Sequence, residues 1–366
     1  MMSPHAAQPA AALALDQRLL GLFPYFGPEA LGGAQLSGRL AWEGMAATGP
    51  ASLFCYGPGV ARPWPPTAAL ATSKAQAMRL ALAHSWRPSS VLIWHIGLLK
   101  LLPLFRVRRA RVSLMLLGIE AWRRHDPLTR LLLRRVDLFL SISDHTWHSF
   151  LEHYPQLAGK PHRTIHLGLS QPTAPAPPPD SPPAALILAR LARSEDYKGH
   201  RELLAAWPLV CAQLPGAELW VAGEGDLRPD LERLAAKADL THAVRFFGRV
   251  SEEQKQALLA RCRCLAMPSR GEGFGLVYLE AMRLGRPCLV STLDAGREVV
   301  APPEAGLAAN PADPQALADA LIRLLTPGPQ WERWSAQARS RYEGAFTAQH
   351  FQMRLLDALD FDRRSA

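Results

Sequence analysis

The chain has 366 residues, which suits two domains of roughly 150 residues each. A content of 48% hydrophobic and 20% charged residues excludes disorder over most of the chain, and no apolar run is long enough to span a bilayer. The N-terminal stretch has no Lys or Arg before Arg18 and is a poor secretory signal. The five cysteines form no Cys-x-x-Cys pair, so we expect a cytoplasmic protein without disulfides or zinc.

The net charge of +9 is concentrated in the first half of the chain. Residues 1–170 hold 18 Lys and Arg against 8 Asp and Glu, whereas the rest holds 23 against 24. Most of the excess lies between Lys100 and Arg135, where ten basic residues face only Glu120 and Asp126. We therefore expect any anionic partner to contact the first half.

Short apolar runs alternate with amphipathic stretches, a pattern typical of parallel α/β layers. In chain order, the predicted strands are Leu19–Phe23, Ser52–Tyr56, Val91–Ile96, Val112–Leu117, Leu138–Ile142, Thr164–Leu167, Ala185–Ala189, Glu218–Ala222, Val244–Phe247, Cys262–Met267, Pro287–Ser291 and Leu307–Ala309. Helices fill the gaps, including Arg201–Gln213 and Ser251–Arg261, and a last amphipathic helix covers Gln349–Ala366. We predict an α/β fold of two doubly wound sheets, each of about six strands.

A proline-rich segment separates the two halves. Seven of the fourteen residues from Ser170 to Pro183 are proline, which excludes a helix or a central strand there. The predicted organisation is an N-terminal domain over 1–169, a linker over 170–183, a C-terminal domain over 184–345 and a helix over 346–366 that returns towards the first domain. Ligands bind beyond the carboxyl ends of parallel strands, so the cleft between the two sheets is the expected site.

The segment Met267–Pro287 is the most informative part of the sequence. It follows a strand, passes three glycines and opens a helix near Gly275, an arrangement that suits a phosphate. Glu272 precedes that helix and Glu280 lies five residues inside it. Carboxylates accept hydrogen bonds from hydroxyls, so this pair suits a sugar or a ribose. A glycine-rich turn between strand and helix is also common without any ligand, and the residues alone leave both interpretations open.

This segment closely resembles the signature of retaining glycosyltransferases of the GT-B fold, of the large family-four, or group 1, type. That signature has two glutamates separated by seven residues in the setting Pro-Ser-x-x-Glu-Gly-Phe-Gly-Leu-x-x-Leu-Glu-Ala-Met-x-x-Gly-x-Pro, as here in residues 268–287. Further matches are Ala189-Arg190-Leu191 with Lys198-Gly199, Val221–Gly225, Phe246–Val250 and the glycine loop Leu31–Gln35.

The resemblance implies a role for each matching residue. Arg190 and Lys198 would clamp the donor diphosphate, with Arg193 as a competing candidate, and Glu272 would contact the sugar. The remaining residues implied for donor binding are Gly32, Gly33, Arg249, Val250, Gly273, Phe274, Gly275, Leu276 and Glu280, the last of them at the ribose.

The first half matches the family only in short separate segments, which include Gly118–Trp122 and Ser141–Thr146. The resemblance implies an acceptor site near Gly118, Glu120 and Trp122. Many relatives carry a histidine just before the glycine, and this chain has Leu117 there. Either the sugar is held differently or His95 takes that role. His95 also fits a plain cap at the end of a strand.

The implied function is transfer of a hexose, with retention, from GDP-mannose or a UDP-glucose or UDP-N-acetylglucosamine donor to a glycan or lipid-linked acceptor, in polysaccharide or cell-envelope glycan synthesis. The donor's own phosphate oxygen would take the acceptor proton, so no cofactor and no metal are implied. The one Asp-x-Asp pair, Asp360 with Asp362, lies in the terminal tail. The alternatives are a catalytically inactive sugar-nucleotide-binding scaffold and a sugar phosphorylase or epimerase of the same fold.

The Lys100–Arg135 cluster has three interpretations. It is a solvated face, a nucleic-acid surface or a contact with an anionic membrane, and no recognised nucleic-acid module accompanies it. The segment Leu98–Arg109 mixes apolar and basic residues as interfacial anchors do. We expect peripheral attachment to the inner face of the cytoplasmic membrane through residues 98–135, and no nucleic-acid partner.

Overall fold

The computed structural model describes residues 19–27, 32–57, 60, 62–83, 88–105, 107, 109–170, 174, 176–179 and 182–361. Leu31, Asp362, Arg106, Arg108 and parts of the predicted linker and termini lie outside these ranges. The described residues form two sheets in which every strand pairing is parallel. The predicted α/β class with two Rossmann-like domains is confirmed.

The N-terminal sheet has seven strands in the order β3-β2-β1-β4-β5-β6-β7. They are β1 Leu19–Pro24, β2 Ala51–Tyr56, β3 Ala69–Ala71, β4 Ser90–Ile93, β5 Arg111–Leu116, β6 Leu138–Ser141 and β7 His162–Thr164. The C-terminal sheet has six strands in the order β10-β9-β8-β11-β12-β13. They are β8 Ala184–Leu188, β9 Glu218–Ala222, β10 Val244–Gly248, β11 Cys264–Met267, β12 Cys288–Ser291 and β13 Gly306–Ala309.

Helices connect and cover these strands. The α-helices are α1 Gly33–Thr48, α2 Lys74–Ala83, α3 Pro127–Leu133, α4 Asp144–His153, α5 His200–Gln213, α6 Arg228–Lys237, α7 Glu252–Arg261, α8 Leu276–Met282, α9 Gly296–Val300, α10 Pro314–Leu325, α11 Pro329–Ala345 and α12 Ala348–Phe361. Short 3₁₀ helices cover Ile96–Leu104, Pro155–Leu157 and Arg193–Glu195. Among the described residues, no helix combines the length and the apolar character that crossing a bilayer requires.

Three details differ from the sequence-based prediction. Strand β3 was not predicted, because three residues are too few to show a period. The strand predicted at Thr164–Leu167 lies at His162–Thr164 instead; Ile165 and Leu167 are buried in the core without belonging to a strand. The strand predicted at Val91–Ile96 stops at Ile93, because His95 caps a 3₁₀ helix that begins at Ile96.

Described linker residues pack against the C-terminal domain through two arginines. Arg286, which is fully buried, donates to the carbonyl oxygen of Pro177 at 2.6 Å, and Arg263 donates to that of Pro179 at 3.0 Å. Prolines lack N–H groups but keep their carbonyl acceptors, so these guanidinium donors satisfy them. This part of the linker is therefore held against the domain that follows it.

Helix α12 lies against the N-terminal domain. Phe351 packs edge-on against Trp94, with 6.1 Å between ring centroids, and the Gln352 side chain donates to the carbonyl oxygen of Leu40 at 2.9 Å. Just before the helix, Thr347 pairs with Leu169 in a short bridge. The chain therefore crosses back from the second domain to the first, and one apolar cluster runs through both.

Candidate functional site

A cavity of about 470 Å³ lies between the two domains, where the carboxyl ends of the parallel strands meet. The N-terminal domain contributes Gly33, Ala34, Ser37, His95, Leu117, Ile119, Glu120, Ile142 and Leu167 to its wall. The C-terminal domain contributes Arg190, Glu195, Tyr197, Lys198 and the segment 271–276. Its volume falls in the range of small-molecule sites.

The loop between β11 and α8 forms one wall of this cavity. It contains Glu272 and ends at Gly275, whose φ of +84° is a left-handed conformation that favours glycine. Inside α8, the hydroxyl of Tyr278 donates to the carbonyl oxygen of Met267 at 3.0 Å. The helix is thereby fixed to the end of the strand, and the loop is held at the cavity.

Lys198 and Glu272 form an ion pair inside the cavity. Their side-chain atoms lie 2.7 Å apart, and each side chain is 16% exposed. Burial alone would lower the pKa of Lys198, but the neighbouring Glu272 carboxylate outweighs burial and raises it. The lysine is therefore a cation at neutral pH. It is placed by a tight turn in which Gly199 has a φ of +99° and approaches the backbone of Pro268.

Of the two competing arginines, Arg190 lines the cavity and Arg193 is absent from its described lining. Arg190 pairs with Glu195, and its side chain remains 79% exposed. Arg193 pairs with Asp230 at 2.7 Å. The geometry thus favours Arg190 as the second cation of the cavity, on an accessible side chain.

Glu280 is not part of the described cavity lining. Its carboxylate lies 2.8 Å from the Lys255 ammonium group of α7, which also contacts Glu252 at 2.8 Å. Arg249 and Val250 follow strand β10, and Gly32 caps α1 next to Gly33. The roles of these residues in donor binding stay predictions.

Two glycines bring the domains into backbone contact. Gly118 has a φ of +123°, and a Cβ atom on Gly273 would lie 3.0 Å from its Cα. A side chain at Gly273 would therefore require the Gly118 backbone to shift by a few tenths of an ångström. Trp122 packs near this contact, with its ring 5.3 Å from that of His145, and its buried indole N–H has no described hydrogen-bond partner. Of the three residues predicted for the acceptor, only Glu120 lines the cavity.

His95 and Glu120 lie on the N-terminal wall of the cavity. Nδ1 of His95 accepts a hydrogen bond from the backbone N–H of Gly97 at 3.0 Å. Burial, with the nearby positive charge of Arg123, lowers the pKa of His95, so the ring is neutral and its proton sits on Nε2. Burial raises the pKa of Glu120, whose carboxylate accepts from the N–H of Leu117. His95 is thus both a cap and a cavity residue.

Asp294 is a residue that sequence reasoning missed. It is 1% exposed, and its two oxygens accept from the backbone N–H groups of Glu272 at 3.1 Å and Gly296 at 3.0 Å. Burial raises its pKa to about 7. Its position shortly after strand β12, at the carboxyl edge of a parallel sheet, was the available signal.

Comparisons with known proteins concern the family and the fold. Residues 182–327 match the family model described as "Glycosyl transferases group 1". A GDP-mannose-dependent monoacylated alpha-(1-6)-phosphatidylinositol monomannoside mannosyltransferase of Corynebacterium glutamicum is 31% identical over 49% of this chain and 48% of its own. A glycogen synthase of Mycobacterium tuberculosis is 33% identical over 46% and 40%. The chain thus spans about half the length, or less, of these curated relatives.

Solved structures resemble nearly the whole chain. HepE of Anabaena, solved with UDP and glucose, superposes with a TM-score of 0.74 at 16% identity over 94% of this chain and 99% of its own. The sucrose-phosphate synthase of Thermosynechococcus elongatus gives a TM-score of 0.73 at 20% identity over 96% and 100%. At these identities the likeness concerns the fold alone. Residues 182–327 belong to the glycosyl transferases group 1 family, and the chain that contains them adopts the GT-B fold.

Proposed function

We propose that this protein is a retaining hexosyltransferase that uses a nucleoside-diphosphate sugar of the GDP-mannose or UDP-glucose and UDP-N-acetylglucosamine class. The observation that carries the proposal is the buried pair of Lys198 and Glu272 in the interdomain cavity. A cation suits a diphosphate and a carboxylate suits sugar hydroxyls, so the pair matches both ends of such a donor. The mannosyltransferase and glycogen synthase relatives support the same class.

The residues would act by binding and by stabilising charge. Lys198 and Arg190 would hold the diphosphate and balance the charge that grows as the glycosidic bond breaks. Glu272 would orient the sugar, while His95, Glu120 and the Gly118 region would hold the acceptor. The bond from the anomeric carbon to the phosphate oxygen breaks, and the acceptor oxygen bonds to that carbon on the same face. The acceptor proton passes to the phosphate oxygen that leaves, so configuration is retained without a protein nucleophile.

The reaction so written requires no cofactor and no metal. The proposed acceptor is a glycan or lipid-linked sugar used in polysaccharide or cell-envelope synthesis. The competing candidate is an inactive protein that binds sugar nucleotides, and Leu117 at the cavity wall is the observation in its favour. An apolar side chain at that position offers no hydrogen bond to a sugar.

The test is release of nucleoside diphosphate from UDP-glucose, UDP-N-acetylglucosamine and GDP-mannose, with and without EDTA. We expect turnover of one donor, unaffected by the chelator, and an NMR coupling constant of the product that matches the anomeric configuration of the donor. Binding without any turnover would support the scaffold, and neither binding nor turnover would refute both candidates.

Arginine variants provide a matched control for the site. Arg190→Ala should weaken nucleoside-diphosphate binding by roughly 10- to 100-fold, since it removes hydrogen bonds to charged groups. Arg193→Ala, three residues away but paired with Asp230, should change it by less than about twofold. Equal effects of both variants would contradict the assignment of Arg190.

We also propose that the protein attaches to an anionic membrane through the N-terminal domain. Three of the five leucines in the segment predicted as an anchor, Leu98, Leu99 and Leu102, are buried in the core, and Leu101 and Leu104 are partly buried against it. The segment is therefore not an exposed apolar surface. Exposed apolar residues lie instead on helices α2 and α3, which both pack against the 3₁₀ helix Ile96–Leu104. We call this surface the α2–α3 face; its exposed apolar residues are Met78, Leu82, Leu128 and Leu131.

Charge on the α2–α3 face complements anionic lipid. The exposed basic residues of these helices and their ends are Lys74, Arg79, Arg130, Arg134 and Arg135. Each basic side chain near an anionic surface contributes about 1 kcal/mol, and leucines that enter the interface add to this. A face that is both apolar and basic is therefore more stable in contact with an anionic lipid surface than in contact with water.

Vesicle co-sedimentation tests this attachment. The protein should sediment with vesicles containing phosphatidylglycerol and stay in solution with phosphatidylcholine alone. A Leu128→Ser and Leu131→Ser double variant should lose most of the binding, whereas Leu234→Ser on helix α6 should not. Equal recovery with both vesicle types, or equal loss in the control, would refute the attachment.

A further inference from the structure

The start of helix α4 contacts the opposite domain at two separate points. Its cap residue Ser143 donates a hydrogen bond to the carbonyl oxygen of Gly273 at 2.7 Å, in the loop that contains Glu272. The first two backbone N–H groups of the helix, those of Asp144 and His145, donate to the carboxylate of Glu298 at 2.8 and 2.7 Å. One short stretch of the first domain is thus bonded to two elements of the second.

Glu298 suits this position electrostatically. Its two oxygens each accept one of the N–H groups that a helix leaves unpaired at its N-terminus, where the helix dipole also favours negative charge. Burial would raise the pKa of Glu298, but hydrogen bonds from His166 and from the backbone of His145 and Asp144 outweigh burial and lower it. The side chain is therefore an anion that bridges the domains, with His166 at 3.5 Å.

Helix α9, which contains Glu298, is also bonded to the Glu272 loop. The carbonyl oxygen of Glu272 accepts from the N–H of Ala295 at 3.1 Å, and its N–H donates to Asp294, also at 3.1 Å. Arg341 of helix α11 donates to the carbonyl oxygens of Glu298 and Val299 and so holds α9 against α11. The bonds form a closed ring from α4 to the Glu272 loop, to α9 and back to α4.

We infer that Glu298 is a positioning residue that holds the two domains closed and couples that closure to the placement of the Glu272 loop. Opening the cleft breaks the Glu298 and Ser143 contacts together, because both lie on the same end of α4. The loop then loses its contacts with the first domain and keeps those within its own domain, which include the bonds of Glu272 with Asp294, Ala295 and Lys198. The kinetic consequence rests on the proposed function, whereas the structural one does not.

Hydrogen-exchange mass spectrometry of Glu298→Ala tests the structural part. We expect at least tenfold faster exchange in the peptide 143–147, faster exchange in the loop peptide 268–276, and a larger radius of gyration in small-angle scattering. Glu298→Gln keeps one acceptor oxygen and should give an intermediate rate. The control is Glu304→Ala, which removes the carboxylate that pairs with Arg341 at 3.1 Å. Glu304 is 46% exposed and makes no described contact with α4, so this variant should behave as wild type.

Turnover separates positioning from a general structural effect. In Glu298→Ala, kcat should fall at least tenfold, while the affinity for UDP or GDP, whichever the wild type binds, should stay within twofold. Ser143→Gly, which keeps a residue tolerated at a helix cap, should lower kcat less, and its effect should not add to that of Glu298→Ala.

Three results would overturn the inference. They are wild-type exchange at 143–147 in Glu298→Ala, equal exchange in Glu298→Ala and Glu304→Ala, and faster exchange at 143–147 without any change at 268–276. If the wild-type protein turns over no donor, the proposed function fails. The exchange measurements at 143–147 and 268–276 still decide whether Glu298 holds the two domains together and supports the Glu272 loop.

Discussion

Replacing Glu280 by alanine tests the predicted ribose contact, and the structure supplies a matched control. Glu280 and Glu252 both lie 2.8 Å from the ammonium group of Lys255. They differ in environment, because the Glu280 side chain is 16% exposed and the Glu252 side chain is 64% exposed. Either glutamate can be removed while Lys255 keeps one carboxylate partner.

The expected magnitudes follow from this arrangement. If Glu280 accepts hydrogen bonds from ribose hydroxyls, its loss removes about 1.5–3 kcal/mol of binding, or roughly 10- to 150-fold in affinity. Loss of Glu252 removes one solvent-exposed ion pair, worth about 0–1 kcal/mol of stability, and no ligand contact. Both variants should unfold at similar urea concentrations, since Lys255 stays paired in each.

The assay is isothermal titration of each variant with UDP and GDP. We expect Glu280→Ala to lose at least tenfold in affinity for the nucleotide that the wild type binds, and Glu252→Ala to lose less than twofold. Similar losses in both variants would mean that Glu280 acts only through Lys255. Unchanged affinity in Glu280→Ala would refute the ribose contact altogether.

The remaining predictions concern the loop that contains Glu272. The pKa of Asp294 is raised to about 7, so the folded protein binds a proton that the unfolded chain releases near pH 4, and stability falls as pH rises. In urea unfolding between pH 5 and pH 8, the free energy of unfolding of the wild type should fall by roughly 2–3 kcal/mol relative to that of Asp294→Asn. The same dependence of this free energy on pH in both proteins would contradict the prediction. Gly273→Ala places a Cβ 3.0 Å from the Gly118 backbone, so turnover should fall at least tenfold with little change in the midpoint of urea unfolding. Unchanged turnover would show that the Gly118 backbone adjusts to the added methyl group. Glu272→Gln frees Lys198 and removes a negative charge, so calorimetry should show tighter binding of the nucleoside diphosphate and weaker binding of the intact sugar nucleotide, and parallel changes would refute the separate roles.

The fold was predictable where apolar runs are long and bounded by clear breaks. Ten of the twelve predicted strands lie within a residue or two of their observed positions, including Glu218–Ala222 without any shift. The strand prediction was wrong where residues are buried without pairing in the sheet. Ile165 and Leu167, for example, are buried in the core but belong to no strand. A three-residue strand such as β3 has no period from which to predict it.

The lining of the candidate site was predictable where it lies on one contiguous segment, and less so where it depends on contacts between segments. The segment Met267–Pro287 predicted a glycine-containing loop with Glu272 before a helix, and this loop lines the cavity. The pairing of Glu280 with Lys255 could not be predicted from sequence, since it depends on how α7 packs against α8. The same holds for Glu298, whose partners at Asp144 and His145 lie about 150 residues away in the other domain.

The pairing of Lys198 with Glu272 has a consequence for what the cavity can bind. Two opposite charges at 2.7 Å and 16% exposure stabilise each other, and removing the partner of either one is costly. Under the proposed function, a bound diphosphate would take the ammonium group away from Glu272, and the carboxylate would then need new donors. Sugar hydroxyls are such donors, so an intact sugar nucleotide gives both charges a new partner at the same time. A diphosphate alone satisfies Lys198 and places a second anion next to an unpaired Glu272. Under the proposed function, the pair would therefore favour the whole donor over the nucleoside diphosphate, which would favour release of that product after transfer.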